Sequence, residues 1–176
     1  MQNDERHLQW CLKHSKGIRM AKPSENLVKA YLQKSRNALK SMEVNAQAGL
    51  VEWVVSASYY AKYFVVYSLL SKIGIKCEIH DCTITVFEYL FSDTIPKEIL
   101  KDLRNSKENR VEAQYYTQEL RIDLEQVIKK TKQFVLEIEK VIDGLNTEKI
   151  SELQKKLKSL DSSNVNSQSQ KWQNHY

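Results

Sequence analysis

The sequence predicts an all-α protein, an antiparallel bundle of helices. Three observations predict it. The 176 residues include only four glycines and two prolines, too few breakers for an all-β fold or for the glycine loops of an α/β enzyme. Apolar residues recur at three-and-four spacing through most of the chain, the period of a helix with one face turned to a core. No stretch carries a strand signal. Hydrophobic residues at 41% and charged residues at 28% suit a globular chain that buries a core without disulfides or metal.

A short helix is expected over residues 4–14, then a connector over 15–23 with Gly17 and Pro23. Ser24 suits the N-cap of a second helix reaching about Met42, whose face is Leu27, Val28, Tyr31, Leu32, Ala38, Leu39 and Met42. Residues 47–73 read as one long helix, apolar nearly all round and therefore central or at a dimer interface. Its small residues Ser56, Ala57, Ser58 and Ala61 admit a close neighbour. Gly74 suits a left-handed stop.

A loop over 75–79 precedes a helix at about 80–92, with Asp81 as its expected cap. Thr94-Ile-Pro-Lys opens another helix with Leu100 and Leu103 inward, and the charged run 104–112 is expected to kink or loop. Residues 119–144 form a strongly amphipathic helix closed by Gly144. Ile150, Leu153, Leu157 and Leu160 make a narrow seam for packing or for an oligomer contact. The expected organisation is an N-terminal helix and connector (1–23), a bundle (24–145), a C-terminal helix (146–160) and a Ser-, Asn- and Gln-rich disordered tail (161–176).

The net charge of +5 is unevenly spread: residues 1–40 carry nine Lys and Arg against Asp4, Glu5 and Glu25. Such a segment is either a solvated face or a lure for an acidic partner or nucleic acid. Residues 1–10 lack an apolar signal core, and the uncharged runs 53–61 and 63–71 are half the length of a membrane span. Three cysteines with no disulfide spacing fit reduced thiols, so the expected location is cytoplasmic, with no membrane contact.

There is no phosphate loop, no Gly-x-Ser-x-Gly elbow and no His-Glu-x-x-His helix. The segment Cys77-Glu78-Ile79-His80-Asp81-Cys82 has zinc-ligand residue types but no second ligand pair at finger spacing, so neither a metal nor any cofactor is expected. Tyr59, Tyr60, Tyr63 and Tyr67 cluster on the long helix, with 60, 63 and 67 sharing a face, either as packing or as a stacking surface. The densest polar feature is Arg104-Asn-Ser-Lys-Glu-Asn-Arg110-Val-Glu-Ala-Gln-Tyr115-Tyr116. If helical, it puts Arg104, Lys107 and Arg110 on one face as a phosphate-binding strip beside two phenols. The alternative is an Arg104–Glu108 surface pair.

Two segments together resemble the HEPN-domain family: Ser58-Tyr-Tyr-Ala-Lys-Tyr-Phe with Leu69-Leu-Ser-Lys-Ile-Gly-Ile and His80, and Arg110-Val-Glu-Ala-Gln-Tyr-Tyr. The likeness covers about residues 24–142 and is greatest to the branch encoded beside a minimal nucleotidyltransferase. It implies an up-down hairpin core, a homodimer, and a role as an RNA binder or metal-independent ribonuclease, often a toxin restrained by its nucleotidyltransferase partner. The family's nuclease motif is Arg, a polar residue, then His a few positions later. Arg104-Asn105 matches its opening, but Asn109, Arg110 and Val111 occupy the candidate His positions, and Tyr115 stands at the corresponding place counted from Arg110. His80 lies on another segment. Catalysis is therefore left open, leaning against, with Arg104 and Arg110 as the weak catalytic candidates.

The function the resemblance implies is a partner of a minimal nucleotidyltransferase in a toxin–antitoxin-like pair. It would bind RNA or a nucleotide in a dimer cleft through Arg104, Asn105, Arg110, Tyr115, Tyr116, Tyr60 and His80. Tyr115 or Tyr116 is also a candidate acceptor for a transferred nucleotide, since a phenol is a competent nucleophile. The alternatives are a ribonuclease with a degenerate motif, or an interaction module that docks a protein through the 150–160 seam and the basic N-terminus.

Overall fold

The computed structural model describes the backbone of residues 2–115 and 123–173, and the side chains of 5–115 and 123–160. Among these residues are seven helices, in the order α1 (Gln2–Lys13), α2 (Glu25–Gln47), α3 (Val51–Ile73), α4 (His80–Phe91), α5 (Lys97–Tyr115), α6 (Leu124–Asp143) and α7 (Thr147–Gln173). Two two-residue strands, β1 (Arg19–Met20) and β2 (Ile75–Lys76), pair antiparallel with Arg19 opposite Lys76. The fold is an all-α helical bundle, as the sequence predicts. The small ribbon is an addition to it, too short for any alternation to announce.

α3 is the axis, in contact with α2, α5 and α6 and also with α4 and α7. Val54, Tyr59, Ala61, Val65, Val66, Leu69, Leu70 and Ile73 are all buried, which is why its apolar residues run round every side. Small and hydroxyl residues let the neighbours come close. Ser35 Oγ donates to the Ala61 carbonyl at 2.7 Å, Ser68 Oγ donates to the Val28 carbonyl at 2.9 Å, and Ser58 Oγ meets Thr131 Oγ1 at 2.7 Å. These bonds satisfy polar groups that would otherwise be buried unpaired, at a cost of about 1–3 kcal/mol each.

Ser24 caps α2 by accepting from the Leu27 amide. Gly74 ends α3 at φ 81°, and a Cβ there would lie 2.5 Å from the Ala21 carbonyl oxygen, so the connector passes where only glycine allows it. Three local expectations change. α5 is unbroken through 104–112, because its charges find acids on α4 or face solvent. Asp81 lies in the first turn of α4, whose N-cap is Ile79. α6 begins after Asp123, which accepts from the Gln126 amide, while 116–122 lie outside the described residues.

The seam of α7 packs internally. Leu157 is buried in the main core, Leu153 and Leu160 lie against it, and Gln154 Nε2 donates to the Ile73 carbonyl at 2.6 Å. The helix continues to Gln173, into the stretch read from sequence as a disordered tail.

The cysteine reading is corrected. Cys11 on α1 and Cys82 on α4 form a disulfide, with Cα atoms 5.5 Å apart, and Cys77 is the remaining thiol, buried. The two are 71 residues apart in sequence, so no local spacing could reveal the pair. Closing a loop of that length removes about 4 kcal/mol of unfolded-chain entropy in the loop-closure picture. Among the described residues no helix is long and apolar enough to cross a membrane.

Candidate functional site

The residues singled out from sequence divide among three places. Arg104, on the α4 side of α5, is bound to Glu88: its Nε donates to Oε1 at 3.0 Å and an Nη to Oε2 at 2.5 Å, a two-pronged pair, with Thr85 3.4 Å away. It lines a cavity of about 550 Å³ with Glu5, His7, Asp81 and Glu88. One turn on, Lys107 is paired to Asp81 at 2.5 Å. Two of the three cations of the expected phosphate strip are thus neutralised by acids of α4.

Asn105 faces elsewhere, into a polar cavity of about 340 Å³ with Lys62, Asp102, Ser106 and Asn109. Lys62 is buried there. Its ammonium meets Asp102 at 2.7 Å and donates to Ser106 Oγ at 2.8 Å. Burial holds its pKa below the ordinary lysine value, and Asp102 opposes that shift. Tyr115, at the end of α5, is exposed, and Tyr116 lies outside the described residues.

Arg110, Tyr60 and His80 come together. The Arg110 guanidinium lies 5.3 Å from the Tyr59 ring centre and 5.7 Å from that of Tyr60. An Nη donates to Gln114 at 3.0 Å, and the buried Nε has no hydrogen-bond partner. His80, the first residue of α4, shares a hydrogen bond of 2.7 Å between Nδ1 and the Tyr59 hydroxyl and stacks on Tyr63 at 4.2 Å. The gap in sequence between His80 and the arginines is closed by the packing of α4 and α5 against α3.

Electrostatics sharpen this cluster. Burial lowers the His80 pKa, the nearby charges of Arg110 and Lys107 lower it further, and Asp81 opposes them, so the imidazole is neutral at pH 7. Burial raises the Tyr59 and Tyr63 pKa values far above the ordinary range, which keeps both phenols protonated. In the tautomer where Nδ1–H donates to Tyr59, Nε2 is free to take a proton. In the other, Tyr59 donates and Nε2 carries the proton. Arg110, His80 and Tyr60 are each partly exposed while Tyr59 and Tyr63 are buried, so one planar cation, one neutral imidazole and one ring can meet a phosphate and a base.

A family model of the HEPN domain matches residues 28–142. The chain belongs to the HEPN domain family. The matched stretch holds α3, α4, α5 and nearly all of α2 and α6, and so every member of the HEPN protein's Arg110 cluster. No curated protein matches the chain.

Sequence reasoning missed Tyr59, choosing Tyr60, Tyr63 and Tyr67 as the shared face. The available signal was the four-residue spacing of Tyr59 and Tyr63, which puts two phenols on the side that meets α4. It also missed Asp81 and Glu88 as the acids that occupy Lys107 and Arg104.

Proposed function

We propose that this HEPN-domain protein binds RNA or a nucleotide through Arg110, Tyr60 and His80, as a homodimer and as the partner of a minimal nucleotidyltransferase in a toxin–antitoxin-like pair. One observation carries the binding reading. Arg110 is partly exposed and lies over the tyrosine rings beside a neutral imidazole, whereas Arg104 and Lys107 are occupied by carboxylates. Arginine in that setting offers a phosphate both charge and a planar fork. The dimer and the nucleotidyltransferase rest on the family resemblance. Val44, Leu50 and Trp53, exposed at the α2–α3 turn, are apolar surface available to a second copy. Among the described residues Tyr115, 75% exposed, is an accessible phenol for nucleotide transfer.

Fluorescence anisotropy with a labelled single-stranded RNA and with a labelled adenine nucleotide, over a salt series in EDTA, tests the binding. Arg110→Ala is expected to weaken binding at least about tenfold and to flatten the salt dependence. Equal binding by wild type and variant overturns the reading. Sedimentation with and without the protein from the neighbouring reading frame tests the assembly.

A second reading, metal-independent ribonuclease activity, is favoured by the approach of His80 to Arg110 that the sequence did not reveal. His80 Nε2 would take the 2′-hydroxyl proton as the 2′-oxygen bonds to phosphorus, the P–O5′ bond breaks and the departing 5′-oxygen takes a proton from water, while Arg110 offsets the charge gathering on the phosphoryl oxygens. Cleavage in EDTA that leaves a cyclic phosphate and is lost in His80→Ala supports this. Cleavage unaffected by His80→Ala excludes it.

A further inference from the structure

The three side chains His7, Cys11 and Cys82 stand apart from the Arg110 cluster and have no part in the proposed function. His7 and Cys11 are four apart on α1 and share a face, and Cys82 approaches from α4. Their ligand atoms, one per residue, all lie within 4.8 Å of one another. His7 Nε2 is 3.6 Å from Cys11 Sγ. In a tetrahedral zinc site, with Zn–S about 2.3 Å and Zn–N about 2.0 Å, neighbouring S and N ligands sit about 3.5 Å apart and two sulfurs about 3.8 Å apart. The nitrogen already has the right separation from one sulfur, and the sulfurs reach theirs once the bond between them is broken.

Cys11 and Cys82 are buried, but the half-buried His7 borders the 550 Å³ cavity, with Glu5 and Asp81 on its wall, so water or a carboxylate can approach the cluster from the His7 side. Three protein ligands with an open fourth position is a familiar zinc arrangement, and thiolate with imidazole is a donor set that zinc prefers over hard cations.

We propose that Cys11, Cys82 and His7 form a redox-gated zinc site: closed as the disulfide, and open to one Zn²⁺ per chain when the disulfide is reduced. A dithiol reductant supplies two electrons and two protons, is itself oxidised to a disulfide, and leaves Cys11 and Cys82 as thiols. Zn²⁺ then binds the two sulfurs and His7 Nε2, and the two thiol protons go to solvent. In the oxidised state a disulfide bond holds α1 against α4, and in the reduced state the metal does.

The test uses the full chain, reduced with dithiothreitol, desalted under argon and titrated with Co²⁺ and then Zn²⁺. One equivalent of Co²⁺ is expected to produce a thiolate-to-cobalt charge-transfer band and tetrahedral visible bands, which one equivalent of Zn²⁺ erases. The oxidised chain is expected to give neither. His7→Ala, which leaves the disulfide intact, is expected to weaken Zn²⁺ at least tenfold in a chelator competition, and Cys77→Ala is expected to change nothing. The proposal is overturned if the reduced chain shows no charge-transfer band, if His7→Ala binds as tightly as wild type, or if Cys77→Ala removes the band. Circular dichroism of each variant separates lost ligation from lost folding.

Discussion

Arg104 and Arg110 stand on one helix, less than two turns apart, and do different work. Arg104 is held by both oxygens of Glu88 and joins α5 to α4. Arg110 has no carboxylate partner among the described residues, lies over two phenol rings and is close enough to His80 to lower its pKa. Helix position alone does not assign a role to an arginine. The acid it meets, or fails to meet, on the next helix does. A neutralised cation contributes to the fold, and one left over rings beside a histidine is available to a ligand.

The strongest challenge to this contrast comes from a cation on α3 that packs against α5, Lys62. It is buried, with Asp102 as its charge partner. Asp102→Ala strands that ammonium and is expected to cost about 3–5 kcal/mol in urea unfolding. A loss below about 1 kcal/mol would mean that neutralisation matters little to this face of α5. Next in size is the Arg110 effect on RNA. Arg110→Lys keeps the charge but loses the flat contact with the rings, so it should recover only part of the affinity lost in Arg110→Ala, within about tenfold of wild type. Full recovery would reduce the cluster to simple charge. Arg104→Ala should do the converse, lowering stability by about 1 kcal/mol with RNA affinity unchanged. If it weakens RNA binding as much as Arg110→Ala, the contrast is lost.

The smallest effect is in pH. The folded His80 pKa lies below the unfolded value, so the unfolded chain takes up this proton first as the solution is acidified. Its influence is absent above the ordinary histidine value of about 6.5. Stability then declines as pH falls from there towards the lower folded value. His80→Gln should remove that part of the slope, measured as the difference between the two proteins' urea midpoints over the same pH series. Identical slopes would mean that the imidazole is as easily protonated folded as unfolded.

What was legible in the sequence was local. The apolar run of α3, its glycine stop and the Ser24 cap are written within a few residues of where they act, and the structure has them there. The motifs that resembled the HEPN family were legible for the same reason. Partnerships were not. Glu88 and Asp81 lie 16 and 26 residues from the cations they neutralise, so Arg104, Lys107 and Arg110 look equivalent along the chain. In sequence His80 reads as a binding residue that cannot stand in for the missing motif histidine, because it lies on another segment, yet α3 brings both segments to the same phenol. The charged run 104–112 reads as a kink or loop because charge density reports solvent, while Arg104 and Lys107 meet acids of α4 across an interhelical groove. The bond between Cys11 and Cys82 depends on α1 settling on α4, which no spacing within either helix encodes.

The matched stretch starts at residue 28, yet Leu8, Cys11 and Ile18 belong to the same core as Ile73, Ile75 and Cys82, and from the far end Leu157 joins them. A chain trimmed to 28–142 would shed a covalent tie, a strand pairing and four core side chains at one stroke. The wall on which His80 is mounted would then face water. The portion by which this molecule is recognised is smaller than the portion that must be kept to have it whole.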